Sequence, residues 1–268
     1  MQIGAMNHPA RPLEAELQWM SELRLDFVDL TLEPPCAATW QMQPARVRDL
    51  LASHGFSAVG HTAYYLPIGS SFESLRNAAL DELKRAVDAF AAIGVEWMNV
   101  HPDGHAPFYD ERAIVERNVA SLGALVDFAR DTGVRIMVEN VPGQFNTAAQ
   151  LGALLDPLPD LGLHLDIGHC NLGVETNTTE EILARFARRL AHVHLHDNRG
   201  GHADLHLALG MGNMDIPRCV RALRDSGYDA TITLEVFSPD PHYLAHSRDR
   251  LRVLWDGEST ATAERRSA

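Results

Sequence analysis

The chain has 268 residues, of which 46% are hydrophobic and 22% charged, and its formal net charge is −13. This composition is typical of a globular protein, and the acidic excess disfavours a broad surface for nucleic-acid phosphates. No apolar run approaches the roughly 20 residues of a membrane span. The N-terminus also lacks the basic and apolar segments of a signal peptide.

The cysteine and lysine contents restrict the compartment and the chemistry. Cys36, Cys170 and Cys219 are far apart in the sequence and form no Cys-x-x-Cys pair. Such a set predicts reduced thiols in a cytoplasmic protein. The single lysine, Lys84, lies inside a helical stretch. Schiff-base catalysis and a phosphate-binding P-loop each need a lysine in the site, so both are disfavoured.

Short apolar or β-branched runs alternate with longer stretches of helical period, which is typical of parallel βα units. Strands are predicted at 2–6, 26–32, 57–61, 95–101, 134–140, 161–166, 191–196 and 231–237. The helices that follow them are predicted at 13–23, 44–54, 74–93, 111–132, 147–155, 179–189, 216–226 and 243–255. These units predict one domain over residues 1–257, followed by a polar, disordered tail at 258–268.

An eightfold βα pattern fits either a closed barrel or a large open sheet. Side chains able to bind metal ions follow the third to the eighth predicted strands. Only a closed ring directs so many strand ends to one place. We therefore expect an α/β fold of the (β/α)₈ (TIM) barrel type, for which about 250 residues are typical.

Nine acidic or histidine side chains lie at or just after these strand ends: His61, His101, Glu139, Asp166, His169, His194, Asp204, His206 and Glu235. Carboxylate oxygens and imidazole nitrogens are suitable ligands for Zn²⁺, Mn²⁺ and related ions. Strand alternation directs His192, His194 and His196 to the same face. Five other histidines are interpreted as hydrogen-bonded barrel or loop residues: His164, His192, His196, His202 and His242.

The order of these motifs resembles the xylose isomerase-like TIM-barrel superfamily, which contains sugar phosphate isomerases and epimerases as well as endonuclease IV. The resemblance covers nearly the whole chain and is clearest from the third strand to the eighth. It rests on Val-Glu-Asn at 138–140, Asp-Ile-Gly-His at 166–169, His-Leu-His-Asp at 194–197, Asp-Leu-His at 204–206, Leu-Gly-Met-Gly-Asn at 209–213 and Thr-Leu-Glu at 233–235.

The resemblance implies two nested sets of ligands. In the epimerases and ketose isomerases, the residues that match Glu139, Asp166, His194 and Glu235 surround one Mn²⁺-like ion, and the two glutamates move the proton. Endonuclease IV uses a larger set around three zinc ions, and its extra ligands match His61, His101, His169, Asp204 and His206. This chain departs from the family pattern at Met211, where a glutamate is frequent, and it has no lysine to match the one beside the metals of xylose isomerase.

The first functional hypothesis is a divalent-metal-dependent isomerase or epimerase acting on a small sugar or sugar phosphate. Mn²⁺, Zn²⁺, Co²⁺ or Mg²⁺ would chelate the carbonyl oxygen and a neighbouring hydroxyl, and no organic cofactor is required. One glutamate would remove the α-proton to form an enediolate, and the other would return a proton. Arg199 and Tyr64 are predicted to bind the substrate.

Two other classes of function remain open on the sequence. One is an endonuclease IV-like zinc phosphodiesterase acting on abasic DNA, in which Tyr64 and Tyr65 match residues that penetrate the duplex. The other is a non-catalytic barrel that binds metal or sugar. The acidic charge favours a carbohydrate over a nucleic acid, no membrane partner is indicated, and the sequence is compatible with a homo-oligomer.

Overall fold

The structure is a computed structural model that describes residues 1–104 and 110–257. The chain folds into a closed parallel barrel. Its strands are β1 (Gln2–Met6), β2 (Phe27–Leu32), β3 (Ser57–Thr62), β4 (Trp97–Val100), β5 (Arg135–Glu139), β6 (Gly162–Asp166), β7 (Leu190–Leu195) and β8 (Thr231–Leu234). They pair in chain order, and β8 closes the ring against β1. The predicted fold class is confirmed. The predicted tail at 258–268 lies outside the described residues.

A helix follows each strand on the outside of the ring. The helices are α1 (Leu13–Glu22), α2 (Pro44–His54), α3 (Glu73–Ile93), α4 (Glu111–Ala129), α5 (Ala148–Leu155), α6 (Thr179–Phe186), α7 (Ile216–Asp225) and α8 (His242–Asp256). Gly55 and Gly94 end α2 and α3 in the left-handed conformation that glycine adopts without steric cost. In the described part of the chain, no helix is long and apolar enough to cross a membrane.

The structure departs from the predicted elements mainly at their ends. The predicted strands at 95–101 and 231–237 are longer than the observed strands, which end at Val100 and Leu234. His101 and Glu235 therefore lie just beyond the sheet, where the chain turns towards the barrel mouth. The helix predicted at 179–189 ends at Phe186 and continues as a short 3₁₀ turn, and a second such turn at His169–Asn171 was not predicted.

The inside of the barrel changes from apolar to polar along the strand direction. Phe27, Val59 and Met137 form a small apolar cluster of their own, separate from the main core between sheet and helices. Since side chains two apart share a face of a strand, the next inward positions are Asp29, His61 and Glu139. The apolar cluster therefore fills the N-terminal end of the barrel, and the polar side chains gather at the C-terminal end, where TIM barrels carry their active sites.

The cysteines are unpaired, as predicted. Cys170 and Cys219 are buried free thiols, and Cys36 is exposed.

Candidate metal centre

All nine predicted ligands lie at the C-terminal mouth of the barrel, and most are buried. Their ligand atoms approach one another closely enough to share ions in several overlapping groups. Three of these groups are His61 with His101 and Glu139, Glu139 with Asp166 and His194, and Asp166 with His169 and His196. The fold thus brings together residues that are up to 174 positions apart, counted from His61 to Glu235.

His194 occupies the middle of the quartet that the family resemblance implies. Its Nε2 lies 2.6 Å from Asp29 Oδ2, and its Nδ1 lies 3.3 Å from Glu235 Oε2. An Nε2–H that donates to Asp29 would leave Nδ1, on the glutamate side of the site, as the nitrogen able to bind a metal. A carboxylate that fixes the tautomer of a ligating histidine is the usual outer partner of metal-binding imidazoles.

Glu139 is enclosed by polar side chains from neighbouring strands. Its Oε2 accepts a 2.6 Å hydrogen bond from Asn99 and lies 2.9 Å from His101 Nε2, while its Oε1 lies 3.4 Å from His169 Nδ1. Burial by itself raises the pKa of the Glu139 carboxyl, but the neighbouring His164 and His101 hold that pKa well below its usual value. The carboxylate is therefore ionised at neutral pH.

His169, Asp204 and His206 form a second group nearer to the solvent, here called the outer triad. Asp204 Oδ2 lies 3.0 Å from His169 Nε2 and 3.1 Å from His206 Nε2. The two Nδ1 atoms face backbone oxygens, of Asn140 at 2.8 Å and of Glu235 at 3.2 Å. Both imidazoles therefore direct Nε2 to the same place beside the Asp204 carboxylate. This is the arrangement expected of two histidine ligands of one ion.

The loop that carries the outer triad is held by Asp197, which the sequence analysis did not single out. Its carboxylate accepts backbone hydrogen bonds from Gly210 at 2.8 Å and Gly212 at 3.0 Å, as well as from Asn198 and Met214. A side chain at Gly212 would collide with the Asn198 carbonyl. The backbone N–H groups of Gly210 and Gly212 thus bind the Asp197 carboxylate. The Met211 side chain between them is 52% exposed.

Asp29 and Asn99 are the site residues that sequence reasoning missed. Both are completely buried, and each hydrogen-bonds a predicted ligand. Asp29 also accepts a 3.0 Å hydrogen bond from Thr233. A usable signal was present, because Asp29 is the one charged residue in the otherwise uncharged β2 segment Phe27–Leu32. An unpaired buried carboxylate is costly, so such a residue calls for a partner.

The five histidines interpreted as hydrogen-bonded residues divide into three kinds. His192 fits that interpretation, since its nitrogens lie 2.7 Å from Thr231 Oγ1 and 3.0 Å from Thr233 Oγ1. His202 and His242 are exposed. His164 and His196, both completely buried, fit it only in part. Nδ1 of His196 lies 3.4 Å from the Asp197 carbonyl oxygen, but its Nε2 and both nitrogens of His164 lack a hydrogen-bond partner among the described residues.

The two predicted substrate-binding residues lie at the rim of the mouth. Tyr64 is 73% exposed, and its ring stands edge-on to His101 with centroids 6.4 Å apart. Arg199 is exposed in the loop after β7. Other aromatic side chains are exposed in loops that follow the strands, namely Trp40, Tyr65, Phe72 and Phe237.

The donor set fits a divalent cation. Buried Asp166 Oδ2 and His61 Nδ1 have no hydrogen-bond partner among the described residues, and unpaired buried polar atoms are uncommon in native structures. Burial lowers the pKa of His61 to about 4, so this imidazole is neutral and able to bind a metal at neutral pH. Neutral imidazoles beside carboxylates suit zinc and related ions.

The outer triad makes the stability of the metal-free protein depend on pH. Burial opposes protonation of His169 and His206, but nearby carboxylates raise the pKa of each to about 10. The unfolded value is about 6.5, so protonation stabilises the fold fully below pH 6.5, and this contribution is lost as the pH rises through 10.

We expect the melting temperature of the metal-free protein to fall between pH 7 and pH 10 in calorimetry. His206→Gln should flatten that fall; an unchanged slope in the variant would contradict the assignment.

Asp29→Asn should weaken metal binding without unfolding the barrel. The amide can no longer hold His194 in one tautomer as the carboxylate does, and the loss of such an outer partner typically costs about 10–100-fold in metal affinity. Titration calorimetry with Mn²⁺ or Co²⁺ measures this change, with the exposed Asp49→Asn as the matched control. Equal affinity in the Asp29 and Asp49 variants would show that Asp29 does not orient the ligand.

Comparison with known proteins identifies the family. The family model described as xylose isomerase-like TIM barrel matches residues 17–254. The chain belongs to this family. It is 30% identical to L-ribulose 3-epimerase of Methylomonas sp. (strain DH-1) over 246 residues, which are 86% of this chain and 81% of that protein. It is 32% identical to a probable endonuclease 4 of Haloarcula marismortui over 229 residues, which are 77% of this chain and 80% of that protein.

The barrel is also similar in fold to a solved structure that contains zinc. The crystal structure of IOLI protein with a binding zinc atom has a TM-score of 0.81 at 16% identity, over 97% of this chain and 100% of that one. The relatives thus include both sugar epimerases and endonuclease 4 proteins, and membership of the family does not by itself choose between the two.

Proposed function

We propose that this protein is a divalent-metal-dependent epimerase or isomerase of a ketose. The observation that carries the proposal is the placement of two buried glutamates close to His194. Glu139 ends β5, Glu235 follows β8, and the ligand atoms of Glu139, Asp166 and His194 lie within 4.8 Å of one another. The relatives named as ketose epimerases support the same reaction class.

The ion would be held by Glu139, Asp166, His194 and Glu235. When bound, a divalent cation stabilises negative charge on a substrate oxygen without moving a proton. Zinc in the similar IOLI structure supports a divalent ion in this fold. The remaining chemistry falls to the side chains, which must remove and return a proton at the carbon beside the carbonyl.

Glu139 and Glu235 are suited to proton transfer because both are ionised and come from different parts of the ring. Burial opposes ionisation of Glu235, but His194 and His206 lower its pKa to about 2. One carboxylate would take the α-proton from one face of the substrate carbon and later release it to solvent. The other would take up a proton from solvent and deliver it to the opposite face, so that both end the cycle ionised. Two positioned carboxylates of this kind can perform an epimerisation with no net change in protonation.

The rim of the barrel fits a small sugar better than a phosphate backbone. Tyr64, Tyr65, Trp40 and Phe237 are exposed around the mouth, and aromatic side chains supply the apolar part of many small-molecule sites. The net charge of −13 opposes association with a polyanion. Tyr64 would pack on the sugar beside His101, and Arg199 would bind a hydroxyl or phosphate oxygen.

Solvent exchange tests the proposal directly. Metal-loaded protein incubated in D₂O with a panel of free and phosphorylated ketoses should place deuterium at the carbon next to the carbonyl, as read by proton NMR. The 3-epimer or the aldose isomer of the same sugar should accumulate. If no sugar in the panel exchanges a proton while the protein retains its metal, the proposed reaction is wrong.

A phosphodiesterase is the second candidate, because all nine residues that match endonuclease IV ligands lie at the barrel mouth and a relative named probable endonuclease 4 is 32% identical. We expect no cleavage of a duplex containing an abasic site. Efficient cleavage that disappears in His61→Ala and falls steeply with salt, with no deuterium exchange in any sugar, would favour the nuclease instead.

A further inference from the structure

His196 is a buried imidazole that the proposed reaction does not use. It follows β7, its side chain is 0% exposed, and its ring lies 4.3 Å from the ring of His206 and 5.8 Å from that of His169, centroid to centroid. The ring is therefore in contact with the outer triad from the inner side, away from solvent.

The Nε2 atom of His196 points at two carboxylates without bonding to either. It lies 3.4 Å from Asp166 Oδ1 and 3.6 Å from Asp204 Oδ1, and it has no hydrogen-bond partner among the described residues. These separations are long for a nitrogen–oxygen hydrogen bond. The 3.6 Å separation from Asp204 matches the distance of about 3.3–3.6 Å between two ligand atoms that share one tetrahedral zinc ion with bonds of about 2.0–2.2 Å.

The backbone around His196 is built to admit this ring. A methyl group at Gly168 would overlap the imidazole at Nε2, Cε1 and Cδ2, so the ring is seated directly against the glycine. Asn198 Nδ2 donates a 2.8 Å hydrogen bond to the Gly168 carbonyl and holds that segment in place. Only glycine at this position leaves room for the imidazole between β6 and β7.

The neighbouring backbone is also constrained on the side of the outer triad. His206 has a φ of 45°, in the left-handed region that side chains rarely occupy. Leu207 pairs with Asp197 through hydrogen bonds of 2.8 and 2.9 Å. The loop is thus fixed in a shape that turns the Nε2 atom of His206 towards Asp204 and places its ring beside His196.

We propose that His196 is a fourth protein ligand of the ion bound by His169, Asp204 and His206, and that it closes this metal position to water. Zinc sites with four protein ligands are structural, whereas catalytic sites keep one position open for water or substrate. The ion of the outer triad would then anchor the loop after β7 to the barrel, and the catalytic ion would be the one held by the quartet. The inference rests on the proposed metal binding and does not depend on the substrate.

Metal release from the loaded protein tests this assignment. Zinc-loaded wild type, His196→Asn and the exposed-loop control His202→Ala are exposed to a chelator, and the remaining ions per chain are counted over time by mass spectrometry. Wild type and His202→Ala should retain one slowly released ion. His196→Asn should release it at least about tenfold faster. The loss of a direct ligand should lower the metal affinity at least as much as the loss of an outer partner, which lowers it about 10–100-fold. His206→Ala should behave like His196→Asn.

Two further measurements test whether His196 binds the outer ion directly. In the cobalt-substituted protein, the wild-type spectrum should include a four-coordinate ion that does not respond to added azide, and His196→Asn should gain an azide-sensitive ion. If His196→Asn does not fold, Gly168→Ala should produce the same faster release by displacing the ring. Equal release rates in wild type and His196→Asn would overturn the proposal, as would an azide-sensitive outer ion in the wild type. Neither result would affect the proposed epimerisation, which is measured separately with sugar in D₂O.

Discussion

Replacing Glu139 or Glu235 by glutamine is expected to lower the rate of ketose turnover by about 10²–10⁴-fold, the usual contribution of one general acid–base group. The change removes a negative ligand and a proton carrier while keeping the size of the side chain. For Glu139 it also replaces a carboxylate oxygen that accepts the 2.6 Å hydrogen bond from Asn99. Initial rates at saturating sugar and saturating Mn²⁺ measure the effect and separate catalysis from metal affinity.

The matched control for both glutamate variants is Glu175→Gln, since Glu175 is exposed in the loop that follows β6. Its turnover should stay within a factor of about two of the wild type, as expected of a surface change away from the site. Activity above one tenth of the wild type in Glu139→Gln or Glu235→Gln, with metal bound, would show that the residue does not carry the proton.

Removal of the metal should abolish turnover and reduce the stability of the fold at the same time. The barrel mouth holds Asp29, Glu139, Asp166 and Glu235, all of them buried, and a bound cation offsets their mutual repulsion. Chelation followed by dialysis should reduce activity to the background rate, and adding back Mn²⁺, Co²⁺, Zn²⁺ or Mg²⁺ should restore it. At a free ion concentration of about 100 times Kd, the bound ion adds about 2.7 kcal/mol to the free energy of unfolding.

The melting temperature and the turnover rate should therefore rise together as metal is added back to the metal-free protein. Asp166→Asn provides the control, because it keeps the barrel but removes a ligand whose Oδ2 has no hydrogen-bond partner in the described part of the chain. Its melting temperature should rise much less on addition of metal. Full activity in protein whose measured metal content has fallen to a few hundredths of an ion per chain would refute metal dependence.

The sequence predicted the architecture because the βα pattern is a local property. Apolar strand runs, helical periodicity and helix-ending glycines such as Gly55 and Gly94 can be read within windows of ten to twenty residues. The ends of elements were less well predicted. Val100 and Leu234 end their strands early because His101 and Glu235 leave the sheet to reach the mouth, and a propensity pattern does not register where a strand stops pairing.

The site could be predicted in part for a related reason. Residues that follow parallel strands gather at one end of a closed ring, so strand-end histidines and carboxylates such as His61 and Asp166 could be assigned to a common region. Which atoms face each other could not be predicted. Asp29 and His194 are 165 residues apart and meet at 2.6 Å, and this pairing depends on ring closure and side-chain rotamers.

The sequence by itself therefore determined an eightfold barrel with a ring of metal-binding side chains at its mouth. The tertiary structure alone decided how those side chains divide into separate groups. It placed Asp29 behind His194, and it left Nε2 of His196 buried and unbonded between Asp166 and Asp204 within the described chain. The physical reason is that periodicity specifies which face a residue occupies, whereas hydrogen-bond partners a few ångströms apart depend on how distant strands are registered in the closed sheet.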